Sequence, residues 1–178
     1  VPAPVTEAPD VENTRDKEQL STENYQDQII SFKVGDEEYG LEILSVREVI
    51  RIKEITKLPK APDFVTGVIN LRGDVIPIID LRKKFGLSFR EYSEMTRVIV
   101  VEVERKLMGM VVDSVSHVIR IGQDQIVPPP TLVGGISADY IRGVGKLDER
   151  LIVLLNIGKI LTSEEKIELE KINVQSVA

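Results

Sequence analysis

The segment Ile29–Ile52, IISFKVGDEEYGLEILSVREVIRI, recurs without a gap as Val98–Ile121, VIVVEVERKLMGMVVDSVSHVIRI, 69 residues further on. The two runs share Gly40/Gly109 and close on the same residues, Val49–Ile52 and Val118–Ile121. Such self-similarity marks a duplicated structural unit.

The correspondence resumes downstream. Gly67–Phe85, GVINLRGDVIPIIDLRKKF, matches Gly143–Leu161, GVGKLDERLIVLLNIGKIL, at an offset of 76, with five of 19 positions identical. The offset grows because the second connecting loop is longer and carries Pro128-Pro129-Pro130 and Gly134-Gly135. Each copy reads as five short apolar strands separated by turn residues, followed by a helical turn. Asp80 and Asn156 occupy equivalent places after the fifth strand and suit N-caps, and Gly86 suits a helix stop. Five short, bent strands are best buried by curling into a barrel. The fold class expected is therefore all-β, with a first barrel over about 28–86 and a second over about 97–161. A C-terminal helix is expected over about 163–171, because Thr162 and Glu165 have the spacing of a capping box.

Composition bounds the function. The chain has 178 residues and a net charge of −6; residues 1–27 hold seven acids, two basic residues and three prolines, leaving the remainder at −1. That segment has too little apolar surface to offset its ordering entropy and is expected to be disordered. It resembles neither a signal peptide nor a membrane span, and the near-neutral remainder lacks the basic footprint of a nucleic-acid binder. The absence of cysteine excludes disulfides, thiol catalysis and cysteine-based metal sites, and suits a cytoplasmic protein. No catalytic constellation can be assembled. His117 is the only histidine, its equivalent in the first copy is Glu48, and it reads as a structural or surface residue. Asp36-Glu37-Glu38 reads as a solvated turn, Gly134-Gly135 as loop flexibility, and no nucleotide or metalloprotease motif is present. Neither a cofactor nor a metal is expected, and the chain reads as a non-enzyme.

What remains is recognition of other proteins. Strand alternation places Ile30/Ile99, Phe32/Val101 and Val34/Val103 on one face, the expected barrel core. Val98 and Val100 then fall on the other face, where polar residues are expected; burial between the barrels and a partner surface both account for them. Pro77 removes a ladder donor and suggests an edge strand or a bulge that could serve as a docking edge. At the turn between the fourth and fifth strands, Arg72-Gly73-Asp74 faces Leu147-Asp148-Glu149-Arg150 in the second copy. Glycine fits that turn; the arginine has no counterpart and is not needed to build it. The tripeptide itself is too short to read as an integrin motif.

The segments FKVGDEEYGLEIL, VREVI, GVINLRG, VIPIIDLR, GMVVDSVSHVI and LIVLLNIGKIL resemble the CheW-like family of bacterial chemotaxis coupling proteins, from about residue 28 to about residue 170. The resemblance implies two SH3-like five-stranded barrels in pseudo-two-fold arrangement, and an adaptor without enzymatic activity. It implies a bridge between the cytoplasmic tips of chemoreceptors and the regulatory domain of the histidine kinase CheA. The adaptor would be a monomer outside the receptor array, with no direct membrane insertion. A receiver or ATP-binding domain, found beside this module in some relatives, finds no room here, so the stand-alone coupling form is expected. By position, the family's receptor-binding groove would include Glu48, Val49, Arg72, Val98 and Val118, and its kinase contact Val46, Gly67 and Ile69. Arg72 and Glu48 are expected to form an ion pair across the barrel edge. The alternative reading is a double-barrel module serving a different sensory kinase array.

Overall fold

The computed structural model describes residues 28–129, 132–133, 136–137, 140–162 and 164–170. The acidic N-terminal segment, Gly134-Gly135 and the expected ends of the C-terminal helix, Ser163 and Lys171, lie outside the described residues. In chain order the main strands are Gln28–Val34 (β1), Glu37–Glu42 (β2), Val46–Arg51 (β3), Val65–Leu71 (β4), Asp74–Asp80 (β5), Arg97–Val103 (β6), Lys106–Val112 (β7) and Ser114–Arg120 (β8). The short strands Ile126–Val127 (β9), Leu132–Val133 (β10) and Ile136–Ser137 (β11) precede Ile141–Leu147 (β12) and Arg150–Leu155 (β13).

Two larger sheets result, in the orders β8-β1-β2-β13-β12-β9 and β3-β6-β7-β5-β4. They are the same sheet built twice. In each, a parallel pairing joins the fifth strand of one copy to the second strand of the other: Leu154 opposite Gly40, and Ile78 opposite Gly109. In each, the segment leaving the third strand returns to pair with the fourth, through Val127–Val144 in one and Thr56–Val68 in the other. This return closes the sheet into a barrel.

The duplication is thus confirmed, but its division along the chain is corrected. The contiguous barrels expected over 28–86 and 97–161 do not form as such. Each barrel takes the first two strands of one copy and the last three of the other, because β1 pairs with β8 and β6 with β3. The exchange ties the halves together by main-chain ladders as well as by side-chain packing.

The expected face assignment is corrected in the same way. Ile69, Leu71, Ile76, Ile78, Val98, Val100 and Val111 cluster within the five-stranded sheet, and Ile29, Ile121, Ile152 and Leu154 within the six-stranded one. These are the barrel interiors. Ile30, Phe32, Val34, Ile99 and Val101 belong to a larger cluster with members from both sheets, Leu81, Phe85 and Leu169 among them. The central strands β1 and β6 are therefore buried on both faces, so apolar residues at successive positions serve different cores.

The repeated glycines mark the tightest contacts. A Cβ on Gly40 would stand 2.5 Å from Ile29 Cγ2, and one on Gly109 would stand 2.6 Å from Ile78 Cδ1 and 2.7 Å from Val98 Cγ1. Since Ile29 and Val98 are equivalent, as are Ile78 and Leu154, one packing solution is used in both barrels. Pro77 does not mark an edge: β5 is flanked by β4 and β7, and the ladder with β7 begins at Ile78, just after the proline.

Helix signals hold. Asp80 accepts from the Arg82 amide at 3.0 Å and caps Leu81–Lys84 (α1), and Asn156 accepts from the Gly158 amide at 3.2 Å. Gly86, at φ +76, ends α1. The Thr162 hydroxyl accepts from the Glu165 amide at 3.1 Å while Glu165 accepts from the Thr162 amide at 2.9 Å, a complete capping box before the helix over 164–170.

Candidate functional site

Strands β3 and β4 are the two outer strands of the five-stranded sheet, and the barrel closes along the seam between them. Glu48 lies on β3 and Arg72 in the β4–β5 turn, and their side chains form an ion pair across this seam. The expected pair is present. Its arginine remains 71% exposed and its glutamate 30%, so the guanidinium is free to meet a partner while held from one side.

The turn does not favour arginine. Arg72 sits at φ +51 and Gly73 at φ +91, with the Gly73 amide donating to Asn70 Oδ1 at 2.8 Å. A tight hairpin with positive φ at both central residues prefers asparagine, aspartate or glycine. A β-carbon residue in the left-handed region costs about 1–2 kcal/mol. Asp148 takes the same conformation in the second barrel at φ +52. The backbone thus demands a positive φ at the first central residue in both copies, and the side chain found there differs.

A bulge sets the register of Glu48. Val46 faces Val101 and Glu48 faces Val100, leaving Arg47 as the extra residue. The equivalent strand β8 is bulged at the matching place, between Val115 and Val118. A bulge breaks alternation and re-aims the side chains beside it. Arg47 turns to an ion pair with Glu102, and Glu48 to Arg72. Strand alternation could not have revealed the Arg47–Glu102 pair, because the bulge resets the phase there.

The remaining candidates divide by burial. Val49 is half-buried on β3 and packs, like Val46, against the shared core; Val118 is 46% exposed on β8, the outer strand of the other sheet. Val98 and Ile69 are within the interior of the five-stranded barrel at 0% and 2% exposure. Gly67 is buried beneath the bridge, where a Cβ would stand 2.5 Å from both Ile55 Cγ2 and the Thr56 carbonyl oxygen. These three present no surface in the isolated chain. They shape the strands that carry Glu48 and Arg72. Leu44 and Val75, at 66% and 40% exposure, add apolar surface that the sequence reading did not single out.

Two polar hubs fix the body that holds the seam. Asp113 accepts from Arg82 Nη1 and from the Gly35 amide, both at 2.7 Å, joining α1 to turns from both sheets. Lys84, only 9% exposed, pairs with Glu165 and lies 5.9 Å and 5.5 Å from the ring centres of Phe64 and Tyr140. Burial pushes the Glu165 carboxyl up, but hydrogen bonds from Lys84 and Thr162 outweigh it and hold the carboxyl below the usual carboxylate range. Burial raises Asp80, partly offset by the Arg82 amide it accepts from. Burial also pushes Tyr39 and Tyr92 up to about 12. Among the described residues no group of three or more His, Cys, Asp or Glu side chains could hold a metal ion, and no helix is long and apolar enough to cross a membrane.

Two closed sheets, a core shared between them and a charged seam define a double SH3-like barrel. The chain belongs to the CheW-like domain family, which matches residues 28–165. It is 41% identical to a chemotaxis protein CheW of Klebsiella aerogenes over 82% of this chain and 88% of that protein. It is 39% identical to a chemotaxis protein CheW of Helicobacter pylori, over 77% and 82% of the two chains. Among solved structures it resembles the scaffolding protein TtCheW of Thermoanaerobacter tengcongensis, with a TM-score of 0.72 and 37% identity, covering 79% of this chain and 90% of that one.

Proposed function

We propose that this protein is a non-enzymatic scaffold of bacterial chemotaxis, coupling the cytoplasmic tips of chemoreceptors to the regulatory domain of the kinase CheA. Family membership and the scaffold description of TtCheW support the coupling role. The observation that carries the residue assignment is the Arg72–Glu48 pair: a strained turn holds an exposed arginine that the second copy of the fold replaces with aspartate. In this reading Arg72, Glu48, Val49 and Val118 meet the receptor, with apolar contact supplying most of the affinity and the ion pair fixing register. Val46 meets the kinase, while Val98, Gly67 and Ile69 support the strands from within. The adaptor acts as a cytoplasmic monomer until the array recruits it.

An exposed pair contributes only about 0–1 kcal/mol to stability. Covered by a partner, the same charges gain weight, and losing one costs about 2–5 kcal/mol of binding. Arg72→Glu is therefore expected to melt within a few degrees of the parent and to lose receptor-fragment capture while keeping CheA capture. Unchanged receptor capture by the variant overturns the assignment.

A further inference from the structure

Beside β4 and α1 lies a cleft of about 690 Å³ that contains none of the seam residues. Its lining combines the buried or half-buried Ile55, Val65 and Tyr92 with the exposed Lys53, Lys57, Lys83, Leu87 and Phe89. The three lysines are exposed, and among the described residues none of them takes part in an ion pair. Phe89 is 73% exposed, its ring 6.1 Å from that of Tyr92. The single carboxylate in the lining, Asp80, is buried and occupied with the Arg82 amide.

The fold does not require this chemistry. Counting from the equivalent bridges at Thr56 and Val127, the second barrel places Asp124 where Lys53 stands and Pro128 where Lys57 stands. Lys83 keeps a lysine, Lys159, at the equivalent position, so it is Lys53, Lys57 and the exposed aromatic that belong to one barrel only. Three unpaired cations among apolar residues complement a ligand that is both acidic and apolar. Ile55, Val65 and Tyr92 are the less exposed part of the lining, which a narrow chain reaches and a flat bilayer does not.

We propose that this cleft is a second docking site, which takes an extended acidic peptide segment of a partner protein with an apolar side chain seated against Ile55, Tyr92 and Phe89. The carboxylates of that segment lie against Lys53, Lys57 and Lys83. The site is separate from the seam and goes beyond receptor coupling.

The test uses the full chain and a fluorescein-labelled probe peptide, Glu-Glu-Leu-Glu-Glu-Phe-Glu-Glu, read by anisotropy at several salt concentrations. Saturable binding is expected, weakening as salt rises. The double variant Lys53→Glu/Lys57→Glu should lower affinity at least tenfold, Lys53→Gln/Lys57→Gln less, and Phe89→Ala severalfold without changing the salt slope. Arg72→Glu should bind the probe as the parent does, which separates this site from the seam. Carbodiimide cross-linking should join probe carboxylates to Lys53, Lys57 or Lys83. Equal binding by the Lys53→Glu/Lys57→Glu variant overturns the proposal. So do cross-links from these lysines only to the chain's own acidic residues, or capture by anionic phosphatidylserine vesicles with no capture of the probe.

Discussion

The two barrels follow one plan and differ where they meet solvent. Ladders, bulges, parallel pairing and buried glycines recur at equivalent places, down to Gly40 and Gly109 beneath equivalent side chains. The seams do not recur. Where one barrel has Glu48 and Arg72, the other has His117 and Asp148, and among the described residues no ion pair joins those two. In the cleft beside the first seam, Lys53 and Lys57 stand where the second copy has Asp124 and Pro128, while Lys83 is matched by Lys159. Duplication supplied the same body twice; the core absorbs exchanges such as Phe32/Val101 and Tyr39/Met108, and the seams differ in charge.

The deepest way to break this comparison is through the shared interior. Gly40→Ala and Gly109→Ala each force a methyl group against packed side chains. Each should cost about 1–3 kcal/mol, with similar shifts in the two variants, measured by urea denaturation. A large difference between them would show that the barrels are not packed alike. Gly73→Ala meets nothing within 4 Å and bears only the strain of φ +91, so a loss of about 1–2 kcal/mol is expected.

Next is the clamp that holds the C-terminal helix to α1. Lys84→Met leaves the largely buried Glu165 without its cation and should destabilise by about 1–3 kcal/mol in thermal melts. The pH dependence has a definite sign. The Glu165 carboxyl is held below its unfolded value, so its contribution is present above the unfolded carboxylate range. It is lost as pH falls through that range towards the folded value. Asp80, raised by burial, acts oppositely, and its penalty at neutral pH is relieved on acidification. Melts between pH 6 and 3 should therefore show a weaker acid loss for Glu165→Gln than for the parent, and a stronger one for Asp80→Asn.

The smallest effect sharpens the contrast at the seams. Exchanging the charges, Arg72→Glu with Glu48→Arg, restores an ion pair and should leave stability within about 1 kcal/mol of the parent. Receptor capture should stay lost if the arginine itself touches the receptor. Recovery would assign the pair a role in shaping the seam alone. Transplanting the pair into the second barrel, His117→Glu with Asp148→Arg, should change stability by about 1 kcal/mol or less and leave receptor capture unchanged.

Much of this was legible before any coordinates. The repeat, the all-β class, the caps at Asp80 and Asn156, and the capping box at Thr162 are short-range features, set by local backbone geometry and by spacing. Arg72 stands out because the second copy lacks it, and its pairing with Glu48 is an expectation that rests on the family resemblance, which sets both in one groove. The family resemblance sets Val98, Ile69 and Gly67 on contact surfaces; they are interior, because position in a resemblance carries no burial. Pro77 looked like an edge residue because a missing donor does not reveal where its ladder begins.

That one unit is made twice can be read along the chain, since apolar periodicity and shared glycines are written there in order. Which copy's strands complete which barrel is settled by the long-range ladders. A ladder between the first and third strands is chemically the same within a copy or across copies, and the shared core favours the exchange. The same exchange sets β1 and β6 between a barrel interior and the shared core, burying both faces of each.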